Sequence, residues 1–92
     1  MTFRKSLFSG KVVSSEGYSV KPVGQSRLLY EDGANRLYVS GDMLGPNRWA
    51  IYPDDMRKDN EQGRQLHDDA VRDLVTRRIR EVLEFLGGSL EI

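Results

Sequence analysis

The sequence predicts an α+β fold, with an antiparallel sheet of about five to six short strands, built as hairpins or a meander, packed on one long C-terminal helix. Three observations carry that prediction. The stretch Gln65 to Gly88 is the only long segment with a helical period. The runs before it are short, rich in β-branched and aromatic residues, and divided by turn residues. After Gly87-Gly88 there is room for one short final strand at 89–92. At 92 residues the chain is read as one domain, 1–92. Such a chain buries roughly 60–65% of its unfolded surface, so its core is small.

The N-terminal segment 1–10 contains Phe3, Leu7 and Phe8, which suit either a first strand or a docked arm. Lys11 to Ser15 and Tyr18 to Val23 flank Glu16-Gly17, the pattern of a tight hairpin in which Gly17 takes positive φ. Pro22 cannot donate to a ladder, so that strand is expected to be short or at an edge there. Ser26 to Glu31 and Arg36 to Ser40 flank Asp32-Gly33-Ala34-Asn35 and form the clearest hairpin. Alternation puts Leu28 and Tyr30 on one face, and Leu37 and Val39 opposite Tyr38 and Ser40, with Tyr38 expected outward. Gly45-Pro46-Asn47 marks a turn. Arg48 to Tyr52 reads as a strand with Trp49 and Ile51 on one side, stopped by Pro53. Asp54 to Arg64 has no apolar rhythm and reads as a polar loop.

The helix is expected over about 65–86, because Val71, Leu74, Val75, Ile79, Val82, Leu83 and Leu86 recur at steps of three and four. Projection at about 100° per residue gathers them with Phe85 on one half, while Asp73, Arg77, Arg80 and Glu84 take the other. Asp68 and Asp69 lie in the first turn, where they complement the helix dipole. Asp68–Arg72 and three further i,i+4 pairs of opposite charge support the exposed side. Gly87 and Gly88 end the helix, and Leu90 and Ile92 are expected to face the core. Arg78 interrupts the apolar arc. Its guanidinium either snorkels to water, pairs internally or serves recognition, and projection does not choose.

Charge bounds the function. Fourteen basic and fourteen acidic residues cancel, so no global field draws the chain to nucleic acid or an anionic membrane. Residues 1–48 hold seven Lys/Arg against four Asp/Glu, a balance of +3, and residues 49–92 hold seven against ten, a balance of −3. With no cysteine, disulfides, thiol chemistry and Cys-based zinc are excluded. The N-terminus lacks the apolar run of a signal peptide and no segment approaches a membrane span, so a cytoplasmic protein is expected. The single histidine, His67, and the spacing of Asp54, Asp55 and Asp59 match no metal site. No serine lies in a nucleophile elbow and no glycine loop ends in Lys-Ser/Thr. No catalytic residue, cofactor or metal is therefore assigned, and an enzyme is not expected. The alternative class is a small β-sheet nucleic-acid-binding module, in which strand tyrosines and Trp49 would stack bases beside Lys21, Arg27, Arg36 and Arg48.

The order of parts also carries a resemblance. Short strands lead to V-S-G-D-M at Val39 to Met43, then A-I-Y-P-D-D-M at Ala50 to Met56, a polar loop, one amphipathic helix and a final L-E-I at Leu90 to Ile92. Over residues 26–92 this resembles the small immunity proteins of bacterial polymorphic-toxin and contact-dependent growth inhibition systems. Where a Trp-Pro-Pro-like segment would follow the paired aspartates, this chain has Met56-Arg57-Lys58-Asp59. The resemblance implies a cytoplasmic inhibitor that binds a cognate toxin domain one to one and blocks its active site or an essential surface. Many such toxins are nucleases with basic clefts, which a carboxylate-rich surface would complement. The expected contact residues are Asp54, Asp55, Asp59, Glu61, Asp68 and Asp69, with Tyr38 as an aromatic anchor.

Overall fold

The computed structural model describes residues 2–6, 10–58 and 63–92. Leu7, Phe8, Asp59 and Glu61, all named above, lie outside the described residues. Among the described residues the chain forms β1 (Phe3–Lys5), β2 (Val12–Ser14), β3 (Tyr18–Val23), β4 (Arg27–Asp32), β5 (Arg36–Gly45), β6 (Arg48–Lys58), α1 (Asp69–Phe85) and β7 (Ser89–Glu91). The sheet order follows the chain, β1 to β7. All neighbours pair antiparallel except β6 and β7, which run parallel. The sheet is therefore mixed and curled, not wholly antiparallel. The physical reason lies in α1, which carries the chain back along the sheet before β7 begins, as a parallel pairing requires.

One face of this sheet wraps the helix. The register aligns Val12, Val20, Tyr30 and Leu37 across four strands, and Leu28, Val39 and Met56 across three. These side chains are buried, and Val75, Ile79, Val82 and Leu83 of α1 close over them with Trp49 and Ile51. At roughly 1.5–3 kcal/mol per fully buried aliphatic side chain, the four helix residues contribute about 6–12 kcal/mol, an upper estimate. Pro22 sits beyond the residues of β3 that β2 pairs with, so its missing N–H costs no ladder bond on that side.

Two expectations fail at β6. Pro53 does not stop the strand, which continues to Lys58, and residues 54–58 are strand and not loop. Val39 pairs with Met56 and Gly41 with Ile51, so Ser40 alone faces Tyr52, Pro53, Asp54 and Asp55. The ladder is interrupted there, and a proline is tolerated inside such a bulge. The sequence showed a stop because proline usually ends pairing; pairing resumes one bulge later.

The helix also starts later than expected. The Leu66 N–H is already committed to the Met56 carbonyl (2.7 Å), and Gln65 bridges to Arg57, so 65–66 is tied to β6. Asp68 is the N-cap, its Oδ1 accepting from the Val71 N–H at 3.1 Å. At the other end Gly87 has φ 82°. Its N–H bonds the Glu84 carbonyl and that of Gly88 bonds the Leu83 carbonyl, a Schellman ending. Asn47, the left-handed residue of the β5–β6 turn, clasps this end: its side chain donates to the Leu86 carbonyl and its own carbonyl accepts from Ser89 N–H. Leu90 packs against the core as expected, but Ile92 is 70% exposed, because β7 pairs only with Arg48 to Ala50 and ends before it.

Candidate functional site

The β6 bulge decides where the acidic residues go. It swings Asp54 toward the helix start, and Arg72, one turn into α1, reaches across to it at 2.8 Å. The same guanidinium holds Asp69 at 2.5 Å. Asp54 and Asp69 keep 93% and 80% of their side-chain surface exposed, while Arg72 keeps 27%. The pairing differs from the expected Asp68–Arg72 contact, since Asp68 spends its carboxylate on the N-cap. Asp54 of β6 and Asp69 of the helix start thus meet around Arg72 at one end of the molecule, and the neighbouring Asp68 lines a shallow pocket with Lys58, Arg64, Gln65 and His67. Gln65 adds a side-chain bond to the Asp54 carbonyl.

Asp55 belongs to a different surface. It points to the sheet face away from the helix, where its carboxylate accepts from Ser40 Oγ (2.7 Å) and pairs with Arg57 (3.1 Å). Tyr38 shares that face, as expected, directly opposite Arg57. It is half-buried, with the Arg36 guanidinium 5.9 Å from its ring centroid. The expected contact set therefore divides into Asp54, Asp68 and Asp69 at the helix start, and Tyr38 with Asp55 on the outer sheet face. Arg57 and the β6 backbone join the two. Asp59 and Glu61 lie outside the described residues.

Arg72, Arg57 and Ser40 organise these groups and were not singled out in the sequence. Nothing in a linear reading joins Arg72 to Asp54, eighteen positions away. Only the bulge does.

Arg78 pairs internally. Its Nη1 donates to Tyr30 Oη at 2.7 Å and lies 3.5 Å from Asp32 Oδ2. Its guanidinium stands 4.6 Å above the Tyr18 ring. Tyr30 in turn donates to Asp32 (2.6 Å), and Tyr18 to Glu81 (3.2 Å). Burial, with the hydrogen bond to Asp32, pushes the Tyr30 hydroxyl up to about 12. Burial also pushes Tyr18 up to about 12, against the pull of Ser14 and with the help of Glu81. For Asp32, burial acts upward but is outweighed by the bonds from Tyr30, Ala34 and Asn35 and by the charge of Arg78, so its carboxyl lies below the usual range. Every member of this cluster has a partner, which makes it a structural brace between α1 and the sheet.

Among the described residues no group of three or more His, Cys, Asp or Glu side chains converges to hold a metal ion, and no helix is long and apolar enough to cross a membrane. No family model, no curated protein and no solved structure matches the chain.

Proposed function

We propose that this chain is an immunity-type inhibitor, which binds a bacterial toxin domain one to one and neutralises it by occlusion. The observation that carries the reading is the convergence of Asp54, Asp68 and Asp69 at one end of the molecule, with the carboxylates of Asp54 and Asp69 held out to solvent. Exposed ion pairs of this kind contribute roughly 0–1 kcal/mol to folding, so the fold does not depend on them. With Arg72 as their shared partner, the outward carboxylates of Asp54 and Asp69 stay open to a partner's cations, which suits a basic cleft, such as that of a nuclease domain, and accelerates encounter with it. Tyr38 of β5 and Asp55 of β6 offer a second contact on the outer sheet face. The order of strands, acidic step, helix and final strand that resembles immunity proteins supports the same reading.

The reading predicts that a toxin domain is encoded immediately upstream of this reading frame, and the test is a complex with that domain; a reading frame with no such neighbour counts against it. Mixing the two should give a tight one-to-one species on size exclusion and abolish the toxin's activity. The double reversal Asp54→Lys/Asp55→Lys should leave the fold intact by circular dichroism while slowing association and weakening inhibition. Undiminished affinity in that variant would remove the acidic-contact reading.

A further inference from the structure

Among the described residues no helix or strand packs on the second face of the sheet, although Ser19 and Leu29 on it are buried. Strands β1 to β4 and the first half of β5 turn Arg4, Lys21, Arg27 and Arg36 to this side, with Glu31 as the acid among them, a net charge of +3. Arg4, Val13, Ser19, Glu31 and Arg36 form one row across the strands, and Lys21, Leu29 and Tyr38 form the next. Adjacent strands stand about 4.8 Å apart, so the first row, from β1 to β5, spans about 19 Å and the second, from β3 to β5, about 10 Å. The chain as a whole is neutral; four of its fourteen Lys/Arg lie on this part of the sheet against one acid, and Arg57 and Asp55 of β6 adjoin them as an ion pair on the same face. In the second row Tyr38 supplies a flat ring with the Arg36 guanidinium beside it.

We propose that this outer face binds single-stranded nucleic acid, with Lys21 and Arg27 on phosphates and Tyr38 stacking a base. A cationic groove beside an aromatic platform is the arrangement that holds single strands without reading their sequence. The inference goes beyond toxin binding, and the two surfaces meet where Tyr38 lies beside Arg57 and Asp55.

The experiment is fluorescence anisotropy of the intact chain with labelled oligothymidine and oligouridine. For two neutralised phosphates, affinity should fall about sevenfold between roughly 50 and 200 mM salt. Lys21→Glu and Arg27→Glu should each weaken binding and flatten the salt slope by about 0.7. Tyr38→Ala should cost about tenfold and Tyr38→Phe should restore it, because stacking needs the ring and not the hydroxyl. Asp54→Lys alone should retain binding, because Asp54 turns to the helix start, and this separates the outer face from the carboxylates there. Absence of binding at the lowest salt overturns the proposal. So does equal binding to polyglutamate with no effect of Tyr38→Ala, which would make the face a docking site for acidic protein.

Discussion

Replacing Arg78 by Met keeps an unbranched apolar stem on the helix and removes the charge. The structure gives the cost. Arg78 loses a hydrogen bond to Tyr30 at 2.7 Å, a charge contact with Asp32 at 3.5 Å and a position over the Tyr18 ring at 4.6 Å. A hydrogen bond involving a charged group contributes about 1.5–3 kcal/mol, and a cation–π contact that is partly desolvated about 0.5–2 kcal/mol. Asp32 is only 13% exposed but keeps the Tyr30 hydroxyl and the backbone N–H groups of Ala34 and Asn35, so it is not orphaned. We therefore expect a loss of about 3 kcal/mol, below the roughly 3–5 kcal/mol of a fully stranded buried charge plus its lost contacts. For a chain of this length that lowers Tm by about 12–24 °C. Urea unfolding at neutral pH, read by far-UV circular dichroism, measures it, and a cycle with Asp32→Asn isolates the pair. The folded-state pKa of Asp32 lies below its unfolded value. Its contribution is then fully present above about pH 4 and lost as pH falls through the lower folded value. The difference between wild type and Arg78→Met should shrink in acid. An Arg78→Met variant as stable as wild type at pH 7 would refute the brace and leave Arg78 a snorkelling residue.

Two further outcomes follow from packing and titration. Gly88→Ala would place a Cβ on the Asn47 carbonyl oxygen, which also accepts the Ser89 N–H; the helix end and β7 must part, and a loss of about 2–3 kcal/mol is expected from chemical denaturation. Tyr18 and Tyr30, raised to about 12, should ionise late in an alkaline absorbance titration. Because their folded values exceed the unfolded value of about 10, the stability they confer is present below pH 10 and lost as pH rises toward 12. Tyr30→Phe should remove one of these late ionisations.

Much of this fold was legible because it rests on local periodicity. The hairpin turns at Glu16-Gly17 and 32–35, the inward rows of Leu28, Tyr30, Leu37 and Val39, and the buried stripe of α1 all follow from side chains that alternate or recur at fixed steps. The Schellman ending at Gly87-Gly88 follows equally from a residue that tolerates positive φ. The candidate site was legible only as composition. The sequence showed acidic residues near one another in the chain; it did not show that Asp54 joins Asp69 while Asp55 turns to the opposite face.

The strand at 54–58 with its buried Met56 was not legible in the sequence, and Phe85 and Ile92, expected inward, are exposed. What the sequence by itself did determine was the helix, the hairpins, most of the buried rows and the separation of charge between its two halves. These depend on intervals of two, three or four residues. Only tertiary structure decided the bulge opposite Ser40, the passage of β6 through Pro53, the parallel docking of β7 and the partner of Arg78. Each is a meeting of residues far apart in the chain, Arg78 with Tyr30 across forty-eight positions and Arg72 with Asp54 across eighteen. A local pattern carries no record of such distances, because they are set by how the sheet curls around the helix.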